Sequence, residues 1–121
     1  MKFSYTILYV QEVAQSVAFY ERAFRLKQRF IHESGQYAEM ETGETALAFA
    51  SNELAHANLP QGFQANNLSN LPAEIEVGFV AEDVTAAFSQ AVEAGAIAIT
   101  NLSLESRLSH VITSRILQGS L

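Results

Sequence analysis

Apolar and polar positions alternate from Phe3 to Val10, which puts Phe3, Tyr5, Ile7 and Tyr9 on one face and Ser4, Thr6, Leu8 and Val10 on the other. That period, with its aromatic and β-branched content, predicts a strand. The spacing then changes. Val13, Val17, Tyr20 and Phe24 recur at helical intervals with Ala14 and Ala18 beside them, which predicts a helix over 13–24. Glu21 and Arg25 stand as an i,i+4 pair of favourable polarity on it. Leu26 to Ile31 alternates with Lys27 and Arg29 as a half-exposed strand. Gly35 marks a turn, 36–41 a short strand, Thr42-Gly43-Glu44 a second turn and 45–51 an apolar strand. The first half therefore reads strand, helix, then three antiparallel strands.

Residues 52–73 break the pattern. They hold both prolines, Pro60 and Pro72, with Asn58, Asn66, Asn67 and Asn70, so they read as a linker or long surface loop with a turn of helix near 53–57. The opening pattern then returns. In 74–81, Ile75, Val77 and Phe79 share one strand face, and Glu74, Glu76 and Gly78 the other. A helix over 84–94 stops at Gly95, and 96–100 is strand-like. Tyr9-Val10-Gln11-Glu12-Val13 and Phe79-Val80-Ala81-Glu82-Asp83-Val84 each close a strand on an aromatic–Val step, insert an acid and start a helix on Val. Two copies of one strand–helix–strands module follow, 1–51 and 74–121, within one domain. In 101–121, His110 to Ser114 is read as a strand. Leu104, Leu108, Val111, Ile112 and Ile116 also fit a helical stripe, but a repeated module needs strands here.

The chain has 121 residues and no cysteine, with 49% hydrophobic and 17% charged positions. One domain with its own core fits that length. Disulfides, thiolate metal sites and a cysteine nucleophile are excluded. No apolar run spans a membrane and the first residues do not form a signal peptide, so a cytoplasmic protein is expected. The net charge is −6, and no lysine or arginine lies between Arg29 and Arg107. Nucleic acid and anionic membranes need clustered basic groups, so neither is an expected partner. The acids either solvate the surface or favour a cationic ligand.

No histidine among His32, His56 and His110 has metal-ligand spacing, and the glycines form no phosphate loop. Asp83, the one aspartate, stands at a helix start, where a capping role fits better than a catalytic one. Two constellations remain. Glu74 and Glu76 are either solvated acids or polar groups set into a cavity. Phe3, Tyr5 and Tyr9 form either packing surface or a stacking wall for a flat ligand.

The runs Tyr5-Thr-Ile-Leu-Tyr-Val10 and Ser16-Val-Ala-Phe19-Tyr20, with Glu76-Val-Gly-Phe-Val-Ala-Glu82-Asp83-Val84 and Ala94-Gly95-Ala96, resemble the two module openings of the vicinal oxygen chelate superfamily. That superfamily includes glyoxalase I, bleomycin-resistance proteins and extradiol dioxygenases. The resemblance covers 3 to about 100 and implies an α+β fold. Two βαβββ modules form a curled mixed sheet around a cavity, with helices on the outer face, usually in a homodimer. It also implies four metal-ligand positions. The first falls on Tyr5, the second near Ala48 in a strand without Glu or Asp, and the third on Glu76. The fourth falls past Gln118-Gly119-Ser120-Leu121, so the last strand is expected to be incomplete, truncated or altered in frame relative to a fuller relative. One possible ligand in four does not hold a divalent metal. The expectation is a small-molecule binder for a hydrophobic or cationic ligand, with no metal cofactor. Tyr5, Tyr9 and Glu76 would line the cavity, and Phe49 too if its face is the right one. The alternative is a metal-dependent glyoxalase-like lyase or dioxygenase.

Overall fold

The computed structural model describes residues 1–98 apart from 68 and 72, together with the backbone of 111–114. The elements run β1 (Tyr5–Val10), α1 (Val13–Phe24), β2 (Lys27–Ile31), β3 (Tyr37–Glu41), β4 (Ala46–Ser51), α2 (Asn52–Asn58), β5 (Val77–Val80), α3 (Val84–Glu93) and β6 (Val111–Ser114). The fold is α+β. One mixed sheet has the order β1-β4-β3-β2, with β1 parallel to β4 and the other pairs antiparallel. The first module is thus the βαβββ unit that the alternation predicts.

The helical stripe decides which side of this sheet is core. Val13, Val17 and Tyr20 of α1 are buried against Leu8 and Val10 of β1, Ala38 and Met40 of β3, and Leu47 and Phe49 of β4. Ser16 and Ala23 join that buried side, while Ala14 is exposed, so the contact stripe is turned slightly from the predicted one. Helix α1 stops because Arg25 adopts a left-handed backbone, φ 54°. That conformation takes Arg25 off the helix path. Its Nε donates to Gln90 Oε1 at 2.8 Å, so the predicted pairing with Glu21 does not form.

Strand β2 carries a bulge. Gln28 pairs with Met40 and Phe30 with Glu39, leaving Arg29 as the extra residue. The shift turns Phe30 away from the helix side, where simple alternation would bury it, and it is 40% exposed.

The segment read as linker opens with a two-turn helix, α2, capped by Ser51, whose Oγ accepts from Leu54 N at 3.0 Å. Strand β5 begins at Val77, so Glu74, Ile75 and Glu76 precede it, and Ile75 is exposed rather than core. Phe79 does face the core and stacks on Phe24 with centroids 4.6 Å apart. Asp83 caps α3 as predicted, accepting from Ala86 N at 3.0 Å. Residues 96–98 are not in a strand, and the rest of the predicted strand 96–100 lies outside the described residues. Strand β6 lies within the strand read over 110–114, but it pairs antiparallel with β5. The parallel pairing of β1 with β4 is therefore not repeated by β5 with β6, and the sheet is not closed. The predicted incomplete last strand falls outside the described residues.

Candidate functional site

The face of the four-stranded sheet opposite α1 is built by alternation. Tyr5, Ile7 and Tyr9 of β1 stand in register with Ala46, Ala48 and Ala50 of β4. Across β4, Ala48 is matched by Glu39 and Ala50 by Tyr37 of β3. The three alanines are buried, 1%, 0% and 2% exposed, whereas Tyr5 and Ile7 beside them are exposed. The β1 row is aromatic and aliphatic; the β3 row carries Tyr37, Glu39 and Glu41. At the Tyr9 end, the ring of Phe63 lies 6.1 Å from Tyr9 and that of His56 on α2 lies 4.7 Å from Phe63.

Glu39 is the most enclosed charged group described on this face, 8% exposed. Its Oε1 accepts from the Tyr37 hydroxyl at 3.0 Å, and its Oε2 from Arg29 Nη1 at 3.2 Å. Arg29 also holds Glu41 bidentately, Nε to Oε2 at 2.9 Å and Nη2 to Oε1 at 2.8 Å, and reaches the Gly43 carbonyl at 3.1 Å. The bulge places Arg29 for this double grip. One guanidinium thus serves two carboxylates, and the cluster carries a net negative charge.

The titrations follow from these contacts. Burial, then the bond to Glu39, pushes the Tyr37 hydroxyl up to about 12, and the nearby Tyr5 hydroxyl adds to the rise. The hydrogen bond from Arg29 holds the Glu41 carboxyl below the usual carboxylate range. The same carboxylates raise the Arg29 guanidinium further.

Of the residues singled out in the sequence, Tyr5 and Tyr9 share this face. Phe49 does not. It lies on the helix side, fully buried, with its ring 4.9 Å from that of Tyr20. Glu76 is exposed ahead of β5 and has no hydrogen bond or ion pair among the described residues. Sequence reasoning missed Tyr37, Glu39 and Arg29. The signal for two of them was present: Tyr37, Glu39 and Glu41 repeat at period two, opposite the period-two alanines 46, 48 and 50.

The metal-ligand positions implied by the resemblance do not make a donor set here. Ala48 has no donor atom, Tyr5 is a phenol on the face opposite α1, and Glu76 stands apart from β5. Glu39 lies beside Ala48 in the ladder, but its oxygens already accept from Arg29 and Tyr37, and one carboxylate with room for single further hydrogen bonds is not a metal donor set. Among the described residues, no cluster of three or more His, Asp or Glu is arranged to hold a metal ion.

Comparison with solved structures places this architecture. A glyoxalase/bleomycin resistance protein/dioxygenase from Nocardioides superposes with a TM-score of 0.60 at 16% identity, over 85% of this chain and 68% of that one. A glyoxalase/bleomycin resistance protein/dioxygenase family enzyme from Burkholderia phytofirmans PsJN gives 0.57 at 19%, over 86% and 83%. A gene product from Arabidopsis thaliana gives 0.58 at 20%, over 89% and 83%. At these identities the likeness is one of fold. No curated protein matches the sequence significantly. The family model for this fold matches residues 2–104, and the chain belongs to the Glyoxalase/Bleomycin resistance protein/Dioxygenase superfamily.

Proposed function

We propose that the face of the four-stranded sheet opposite α1 binds, along its exposed β1 row, a small, flat, largely apolar molecule that carries a positive charge or hydrogen-bond donor, and that it does so without a metal. The supporting observation is Glu39, a buried carboxylate on the same face as the exposed Tyr5 and Ile7 of the β1 row. A ligand ring packs along the β1 row against the exposed Tyr5 ring and Tyr9, beside the buried alanines of β4. Its donor reaches Glu39 or the Tyr37 hydroxyl. The excess of carboxylate over guanidinium favours a cation over an anion. Phe49 has no part in this reading because its ring is core, and Glu76 is not needed for it.

The test is a thermal-shift and calorimetric series of aromatic amines against neutral isosteres of the same shape. An amine that binds must raise the melting temperature, since it stabilises only the native state. Tyr5→Ala and Glu39→Gln are expected to lose that rise. Equal shifts for neutral and cationic members, or full binding by both variants, would count against the site. Metal-dependent lyase or dioxygenase chemistry is the competing family activity. Stoichiometric nickel, zinc, iron or manganese in protein purified without chelator would favour it.

The same reading includes a homodimer joined along β1. Among the described residues that strand pairs only with β4, and Phe3 and Ile7 beside it are exposed. Unpaired strand edges invite a second strand. Sedimentation of a single monomeric species at high concentration would remove this part of the proposal.

A further inference from the structure

We propose that the groove between the end of α1 and the start of α3 is a second binding site, one that takes a small carboxylate with an aromatic or branched apolar body. It lies on the helix side of the molecule, away from the face that carries Tyr5 and Glu39, and does not depend on the reading of that face.

The groove has a volume of about 300 Å³ and is lined by Phe24, Arg25, Phe79, Ala86, Ala87 and Gln90, with Asp83 at its edge. Phe24 and Phe79 form its apolar wall, stacked with an interplanar angle of 28°. Ala86 and Ala87 leave open the space that larger side chains on α3 would fill. That volume is at the lower end of the range of small-molecule pockets.

Arg25 gives the groove its ligand class. It ends α1 in a left-handed conformation, φ 54°, where glycine is the residue at ease. An arginine at such a position is a candidate for a functional side chain. Its orientation is set by a relay between the helices. Arg25 Nε donates to Gln90 Oε1 at 2.8 Å, and Gln90 Nε2 donates to the Arg22 carbonyl at 2.9 Å. With Nε engaged, the two terminal nitrogens form the remaining fork, and among the described residues neither has a partner. A fork of that kind matches the two oxygens of a carboxylate. Asp83 is the one acid in the lining, and its Oδ1 is committed to capping α3. The Asp83 carboxylate keeps its negative charge, so preference for a carboxylate ligand rests on the Arg25 fork and not on the net charge of the lining.

The experiment is a titration of the ¹⁵N-labelled full chain followed by NMR. Phenylacetate is the probe, phenylacetamide its neutral isostere and phenethylamine its cationic counterpart. Phenylacetate is expected to give saturable shifts at the Ala86 and Ala87 amides and the Gln90 side-chain amide, and none at Ala48 or Ala50. Phenylacetamide should bind about ten- to a hundredfold more weakly, the loss of one charge-assisted contact. Phenethylamine should leave the groove signals unmoved. Arg25→Gly suits the left-handed backbone, so the variant should keep its fold while losing the same ten- to hundredfold. Absence of groove shifts with phenylacetate would overturn the proposal. Equal binding of the amide to wild type, or undiminished binding by a folded Arg25→Gly, would overturn it too.

Discussion

Tyr37 donates its hydroxyl proton to Glu39 at 3.0 Å, two residues further along the same strand and on the same face. Burial first, and then this bond, pushes the phenol up to about 12, above its usual value of about 10. The folded value lies above the unfolded one. The associated stability is therefore fully present below about pH 10 and is lost as pH rises towards about 12. Phenolate absorbance should show a late-titrating phase, and Tyr37→Phe should diminish that phase by one tyrosine. A late phase that survives undiminished in Tyr37→Phe belongs to another residue.

Glu39 also ties the ladder to Arg29, so its removal has two effects. Glu39→Ala leaves the half-buried Tyr37 hydroxyl without its acceptor, at a cost of about 1–3 kcal/mol. Glu39→Gln keeps a carbonyl for that hydroxyl and should cost less. Urea denaturation of both variants separates the lost hydrogen bond from the lost charge. At low pH the sign reverses for the neighbouring acid. The Glu41 carboxyl is held below its ordinary range by Arg29, so its small contribution is present above about pH 4.3 and fades as pH falls through the folded value.

Much of the fold was legible because the chain states its periods clearly. The helix keeps its predicted bounds of 13–24, the alternation holds from Tyr5 to Val10, and Asp83 caps α3 as its position implied. Three things were hidden. The bulge at Arg29 depends on pairing between strands, which a single strand's pattern does not encode, and it turned Phe30 outward. The face of Phe49 was ambiguous because β4 is apolar on both sides, and only the register with Leu8 settles it. Glu76 read as a strand residue because alternation continues through 74–76, yet pairing with β6 begins only at Val77. The alternating alanines of β4 were visible in the letters. Their meaning depended on which side α1 covered.

Phe49 and Tyr5, both singled out as binding candidates, should now behave oppositely. Phe49 is fully buried, so Phe49→Ala should cost about 3–5 kcal/mol of stability. Tyr5 is 54% exposed, so Tyr5→Ala should change stability by about 0.5 kcal/mol or less while removing ligand response. Chemical denaturation checks the first statement and a thermal-shift assay with a bound amine the second. A large stability loss in Tyr5→Ala would mean that its ring is covered in solution.

Asp83 connects the cap of α3 to the groove beside it. Its Oδ1 accepts from Ala86 N at 3.0 Å, and Ala86 lines the groove. Removing the cap in Asp83→Ala should cost about 0.5–2 kcal/mol. The loss should appear first as faster hydrogen exchange in the first turn of α3, because that is where the freed N–H groups lie. Asp83→Asn retains a capping oxygen and should recover most of the stability. It also removes the negative charge at the groove edge, so a carboxylate probe should bind it at least as well as wild type. If Asp83→Asn instead weakens the probe while keeping the fold, Asp83 holds Arg25 in place rather than merely capping α3.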